Sequence, residues 1–197
     1  MKKLSFLSTI TLITIALFFV KTESKAQSID NWFKTGSKAK SYEIGFDNSV
    51  VKTGKKSAYI ESIDRKIKGF GTLMQSCDAK IYLGKRIKMT AYIKTENVKG
   101  WSGMWLRVDA KDPNAPKRVL SFDNMHDRAI RGTNDWTKCE IALDVPFESG
   151  SLNFGVLLNS TGKVWFDKIS FEVVDNISTK PTKKELPEKP VNIDFEE

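Results

Sequence analysis

The chemistry-bearing residues of this chain are few and cluster in two segments. Its only histidine, His126, lies in Phe122 to Arg131 (FDNMHDRAIR), flanked by Asp123, Asp127, Arg128 and Arg131. An imidazole between two carboxylates has the composition of a general base or a metal ligand, and a small hydrolase centred on Asp123, His126 and Asp127 is one reading. The plainer reading is a surface network in which the two arginines neutralise the carboxylates. No GxSxG elbow supplies a nucleophile, and no pair of carboxylates stands out as the acid and base of a glycosidase. The catalytic set is therefore left empty, and a binding module is the preferred expectation over an enzyme.

The second segment, Gly100 to Asp109 (GWSGMWLRVD), is richer. If Met104, Leu106 and Val108 face a core, then Trp105, Arg107 and Asp109 share the opposite face. The reverse parity would strand a cation and a carboxylate inside, which is costly. Sugar rings place their C–H faces on indoles, and Arg and Asp hydrogen-bond hydroxyls in planar fashion. Trp101, Trp105, Arg107, Asp109 and, from the histidine segment, Arg128 are accordingly the expected ligand contacts. Packing beneath a neighbouring loop is an equal alternative for the outward Trp and Arg. Arg128 has its own alternative, a structural clasp between the two strands it joins.

The elements that must position these residues are strands. From Ser41 onward, short β-type runs alternate with Gly, Asn, Asp and Lys clusters, and no 3.6-residue apolar period is long enough for a major helix. Runs are read near Tyr42 to Phe46, Ser57 to Ser62, Gly71 to Ala79, Arg86 to Thr95, Met104 to Ala110, Arg118 to Asp123, Thr137 to Val145, Leu152 to Leu158 and Val164 to Val174. Ile87, Met89, Ala91 and Ile93 alternate with Lys88, Thr90, Tyr92 and Lys94, which buries one face and wets the other. Turns are expected at Thr53 to Lys56, Leu83 to Lys85, Thr133 to Asp135 and Ser160 to Lys163, each carrying Gly or Asn/Asp. The sum is an all-β fold, a two-sheet antiparallel β-sandwich over residues 41–175. Residues 27–40 form a lead-in, and residues 176–197, with three of the six Pro, form a tail without a core of its own.

The N-terminus sets the expected compartment. Lys2 and Lys3 precede an apolar run from Leu4 to Val20, and Ser24 and Ala26 offer a small-residue cleavage site, so residues 1–26 read as a secretory signal and the protein as exported. An uncleaved membrane anchor is the competing reading. Cleavage removes four Lys and one Glu from a net charge of +8, and the remaining cations are interspersed with acids. That argues against a nucleic-acid partner and leaves a glycan or cell-surface polysaccharide, with a monomer lacking a membrane span as the mature form. In an oxidising compartment Cys77 and Cys139 are candidates for a disulfide, with two buried thiols as the alternative.

Four segments in order, Thr53 to Ile60 (TGKKSAYI), Leu83 to Lys94 (LGKRIKMTAYIK), Asp135 to Pro146 (DWTKCEIALDVP) and Val164 to Val173 (VWFDKISFEV), resemble the jelly-roll carbohydrate-binding modules and galactose-binding-like domains of bacterial secreted proteins. The resemblance implies a jelly roll, places Trp136 and Trp165 at strand starts with core roles, and implies a structural Ca²⁺ near Asp167 with Asp47 as partner. Leu186 to Glu196 (LPEKPVNIDFE) looks like the linker and opening strand of a further module. The alternative to ligand binding is a structural or protein-interaction accessory domain that docks on a protein partner or steadies a neighbouring domain.

Overall fold

The computed structural model describes residues 31–177. Residues 1–26, read above as a secretory signal, and the residues beyond Ile177, read as a tail, lie outside the described residues. Nine strands form: β1 (Phe33–Thr35), β2 (Tyr42–Asp47), β3 (Ser57–Ser62), β4 (Phe70–Asp78), β5 (Lys85–Ala110), β6 (Val119–Asp123), β7 (Ile130–Val145), β8 (Ser149–Asn159) and β9 (Lys163–Asn176). All pair antiparallel.

The runs expected at Arg86 to Thr95 and Met104 to Ala110 are two halves of one 26-residue strand. The first half of β5 pairs with β7 and β9, and the second half with β8 and β6. Register slips against β7 between Ile93 and Thr95, between Thr95 and Val98 and between Val98 and Ser102 bend the strand from one layer into the other. Such irregularities sharpen twist and let a strand turn a corner. The first layer therefore runs β2-β3-β9-β5-β7, and the second β1-β4-β8-β5-β6. The fold is an antiparallel β-sandwich of jelly-roll type.

Thr133 to Asp135 does not turn. It continues β7 through the slip, where Thr133 Oγ1 accepts the Asn97 N–H at 3.0 Å and Asn134 Nδ2 donates to Thr95 Oγ1 at 3.0 Å. Side chains thus replace the ladder bonds lost at the bend. Gly84, at φ 71°, makes the expected turn before β5, with the Phe147 ring where a Cβ would stand.

The core lies between the layers and follows the alternation. Ile87, Met89, Ala91 and Ile93 from the first half of β5 meet Met104, Leu106 and Val108 from the second, with Leu73, Leu152, Val156, Leu158, Val164 and Phe166. The lead-in contributes more than expected: β1 pairs with β4, and Trp32 packs edge-on to Phe154 at 5.7 Å. Tyr42 is buried and its hydroxyl reaches the carbonyls of Ser160 at 2.8 Å and Gly69 at 3.1 Å. It ties the start of β2 to the β8–β9 turn.

The disulfide expectation is corrected. Both cysteines are free thiols. Cys77 sits exposed near the end of β4 in the second layer, and Cys139 sits buried on β7 in the first, opposite Ala91. The two strands share no ladder, and burial pushes the Cys139 thiol up to about 11.

Candidate functional site

The outer face of the second layer carries most of the expected contacts, and its composition follows from register. Met104, Leu106 and Val108 are fully buried in the core, so Trp105, Arg107 and Asp109 occupy the opposite face. Pairing through β8 to β4 then sets three rows across the sheet: Trp105, Gly155, Met74; Arg107, Asn153, Ser76; and Asp109, Ser151, Asp78. Phe33 of β1 extends the first row, and Phe122 of β6 stands beside Arg107 in the second.

One end of the face is apolar. Trp105 clusters with Met74 and Leu157, and Phe70 and Trp101 pack at the margin. Its indole is 8% exposed, and Nε1 donates to Thr72 Oγ1 at 2.9 Å, while Thr72 in turn donates to the Val156 carbonyl at 2.7 Å. The row position between Trp105 and Met74 is Gly155. A Cβ there would lie 2.3 Å from the Leu73 carbonyl oxygen, so only glycine keeps β4 and β8 this close. Trp105 is thus a packed side chain rather than an open ring, which corrects the expectation of a bare indole platform. Trp101, partly buried at the rim, and the exposed Phe33 and Phe122 are the accessible rings.

The other end is polar and cross-linked. Arg107 Nη2 and Asn153 Nδ2 both donate to Asp109 Oδ2, at 2.8 and 2.9 Å, and Ser76 Oγ donates to Asn153 Oδ1 at 2.7 Å. Among the described residues Arg107 Nε and Asp109 Oδ1 are buried and lack partners. Sequence reasoning missed Ser76, Asn153, Thr72 and Met74. They belong to β4 and β8, and nothing in their own segments names β5 as a neighbour.

Arg128 is not part of this row. Its Nη2 donates to Asp123 Oδ2 at 2.6 Å and to the Glu140 carbonyl at 3.2 Å, and its Nη1 donates to Asp127 Oδ1 at 2.9 Å. The hydrogen bond to Asp123 leads the contributions that raise its pKa. Asp123 also accepts the Met125 N–H, and Met125 takes the left-handed conformation at φ 61° with its side chain buried. The segment forms a clasp joining β6 to β7, the arrangement expected as the alternative for Arg128, whose guanidinium is 41% exposed. His126 meets the Trp101 ring edge-on at 5.2 Å. Of the residues of the hydrolase reading, Asp123 and Asp127 are both engaged by Arg128.

Asp47 and Asp167 do not fit a cation. Asp47 Oδ1 accepts the Ser49 hydroxyl at 2.6 Å and the N–H groups of Ser49 and Val50, and Oδ2 accepts Trp165 Nε1 at 2.9 Å. Asp167 Oδ2 accepts the N–H groups of Lys52 and Thr53, and Oδ1 that of Lys168. Every oxygen faces a donor where Ca²⁺ needs six or more oxygens turned towards it. The Ser49 hydroxyl, ahead of Trp165 and the backbone, holds the Asp47 carboxyl well below the usual carboxylate range. Trp165 is buried, but on the outer side of the first layer rather than in the core expected of it, and Trp136 is only partly buried.

No family model matches the chain. A protein of Bacillus subtilis (strain 168) named "Uncharacterized HTH-type transcriptional regulator YbfP" is 40% identical over 176 residues, covering 87% of this chain and 58% of that protein. The chain thus spans a little over half the length of the curated relative it matches. Among solved structures, the CBM22-1 xylan-binding domain of Paenibacillus barcinonensis Xyn10C superposes with a TM-score of 0.53 at 14% identity, over 75% of this chain and 88% of that one. The enzymatically active domain of tailspike protein 4 of Bacteriophage CBA120 gives 0.54 at 14% identity, over 75% and 20%. The CBM22-1–GH10 modules of Clostridium thermocellum Xyn10B, solved with xylohexaose, give 0.53 at 14%, over 77% and 27%. At these identities the likeness is one of fold: the β-sandwich of carbohydrate-binding modules. No helix among the described residues is long and apolar enough to cross a membrane.

Proposed function

We propose that this chain is a non-catalytic carbohydrate-binding module whose ligand lies along the outer face of the second layer. The observation that carries the reading is the division of that face into an apolar end, with Trp101 at its rim, and the hydrogen-bonded network of Ser76, Asn153, Asp109 and Arg107. A sugar presents the same two chemistries, apolar C–H faces and hydroxyls that both donate and accept. The Arg107 guanidinium, 40% exposed, is the cation of that network open to a sugar hydroxyl. The likeness to xylan-binding sandwiches supports a glycan but does not choose one. Titration calorimetry against xylan, galactan and glucan oligosaccharides tests it. Binding that is lost in Trp101→Ala and Arg107→Ala, measured well below the melting temperature of each variant, is the expected result. Absence of binding to every glycan at millimolar ligand refutes it.

A second reading draws on the relative's name and on the fraction of that protein left unmatched. The sandwich is then the ligand-sensing part of a longer protein, with the same face as its site. Export is proposed on residues 1–26 alone, and mass spectrometry of culture fractions tests it through a new N-terminus at Gln27.

A further inference from the structure

We infer that the outer face of the first layer is a second, independent binding surface, which takes a carboxylate- or sulfate-bearing polysaccharide. It starts from the two aspartates that do not hold a metal. Asp167 gathers the backbone N–H groups of Lys52, Thr53 and Lys168, at 3.0, 2.8 and 2.6 Å. One carboxylate thereby pins the β2–β3 loop against β9 and sets two lysines side by side. Lys168 takes the left-handed conformation at φ 54° to complete the arrangement. Both ammoniums converge on Tyr92, whose ring is 4.8 Å from Lys52 Nζ and 6.0 Å from Lys168 Nζ. Asp47, fastened to Trp165 and to its own turn, steadies the other end of the same loop.

The charges in this cluster are available. Lys94, Lys138 and Lys163 on the same face are paired with Asp135, Glu140 and Glu61. Lys52, Lys56 and Lys168 are exposed and, among the described residues, have no carboxylate within ion-pair distance. Backbone bonds to Asp167 enforce the grouping, and because that carboxylate is engaged by N–H groups the three exposed ammoniums are left to face solvent, where a further anion is favoured.

The surroundings select among polyanions. The rings of Tyr59, Tyr92 and Trp165 each lie under a lysine ammonium, so they are closed to nucleobase stacking. None of the exposed large apolar residues belongs to the β2–β3 loop or to the strand positions around Tyr92, so nothing there inserts into a lipid layer. Exposed ammoniums without a stacking or inserting surface suit a flexible polymer with charges spaced along its length.

The test is affinity electrophoresis and calorimetry of the whole chain with polygalacturonate, dextran sulfate, uncharged dextran, duplex DNA and phosphatidylglycerol vesicles. Binding to one or both acidic polysaccharides at about 50 mM salt, weakening as salt rises, is expected, and which polymer binds identifies the anion. Lys52→Gln with Lys168→Gln should reduce that affinity roughly tenfold, and the Arg pair at the same positions should restore it. Trp101→Ala should leave it unchanged, which separates this surface from the neutral-glycan site. Affinity unaltered in the double Gln variant, no acidic polysaccharide bound at low salt, or DNA or vesicles bound as tightly would each overturn the assignment.

Discussion

Replacing Arg128 with alanine separates clasp from ligand site, and its cost can be worked from the geometry. The guanidinium is 41% exposed, Asp123 25% and Asp127 82%. The Asp127 pair is in solvent and contributes about zero. The Asp123 bond is charge-assisted and partly buried; a full value of about 1.5 to 3 kcal/mol, discounted for solvent, leaves roughly 1 to 1.5 kcal/mol. The bond to the Glu140 carbonyl adds about 0.5 to 1 kcal/mol. The sum, about 2 kcal/mol, corresponds to a fall in melting temperature of about 4 to 8 °C for a domain of this size. Circular dichroism melts at low and high salt measure it. The loss should shrink at high salt, because the Asp123 component is screened, without vanishing. A melting temperature within a degree of the parent, together with weakened glycan binding, refutes the clasp and returns Arg128 to the ligand face.

Three further outcomes follow from burial. Trp105→Ala should destabilise by about 3 to 5 kcal/mol, because the indole is 8% exposed and packed on Met74 and Leu157; chemical denaturation measures this, and a loss under 1 kcal/mol would show an open ring. Ellman's reagent should titrate one thiol, Cys77, in the native protein and two after denaturation, since Cys139 is buried and its thiol is pushed up to about 11. Burial likewise pushes the Tyr42 hydroxyl up to about 12. Between about pH 10, where the unfolded tyrosine ionises, and that value, the native state holds the extra proton, so stability should fall as pH rises through this window. Urea midpoints across it should fall less steeply in Tyr42→Phe.

The sequence by itself determined what each strand does with its own two faces. Alternation is a local property of a pleated chain, so Met104, Leu106 and Val108 inside and Trp105, Arg107 and Asp109 outside could be read without knowing any neighbour. The same alternation located the strands and the all-β class. It could not show that two runs were one bent strand, because the polar stretch between them reads as a loop until β7 side chains replace its ladder bonds. Only the tertiary structure decided which strands lie side by side. That pairing brought Asn153 and Ser76 to Arg107, put Cys77 and Cys139 in different layers, and turned N–H donors onto Asp47 and Asp167. The physical reason is that long-range register is settled by the packing of the whole core, where no single segment carries the information.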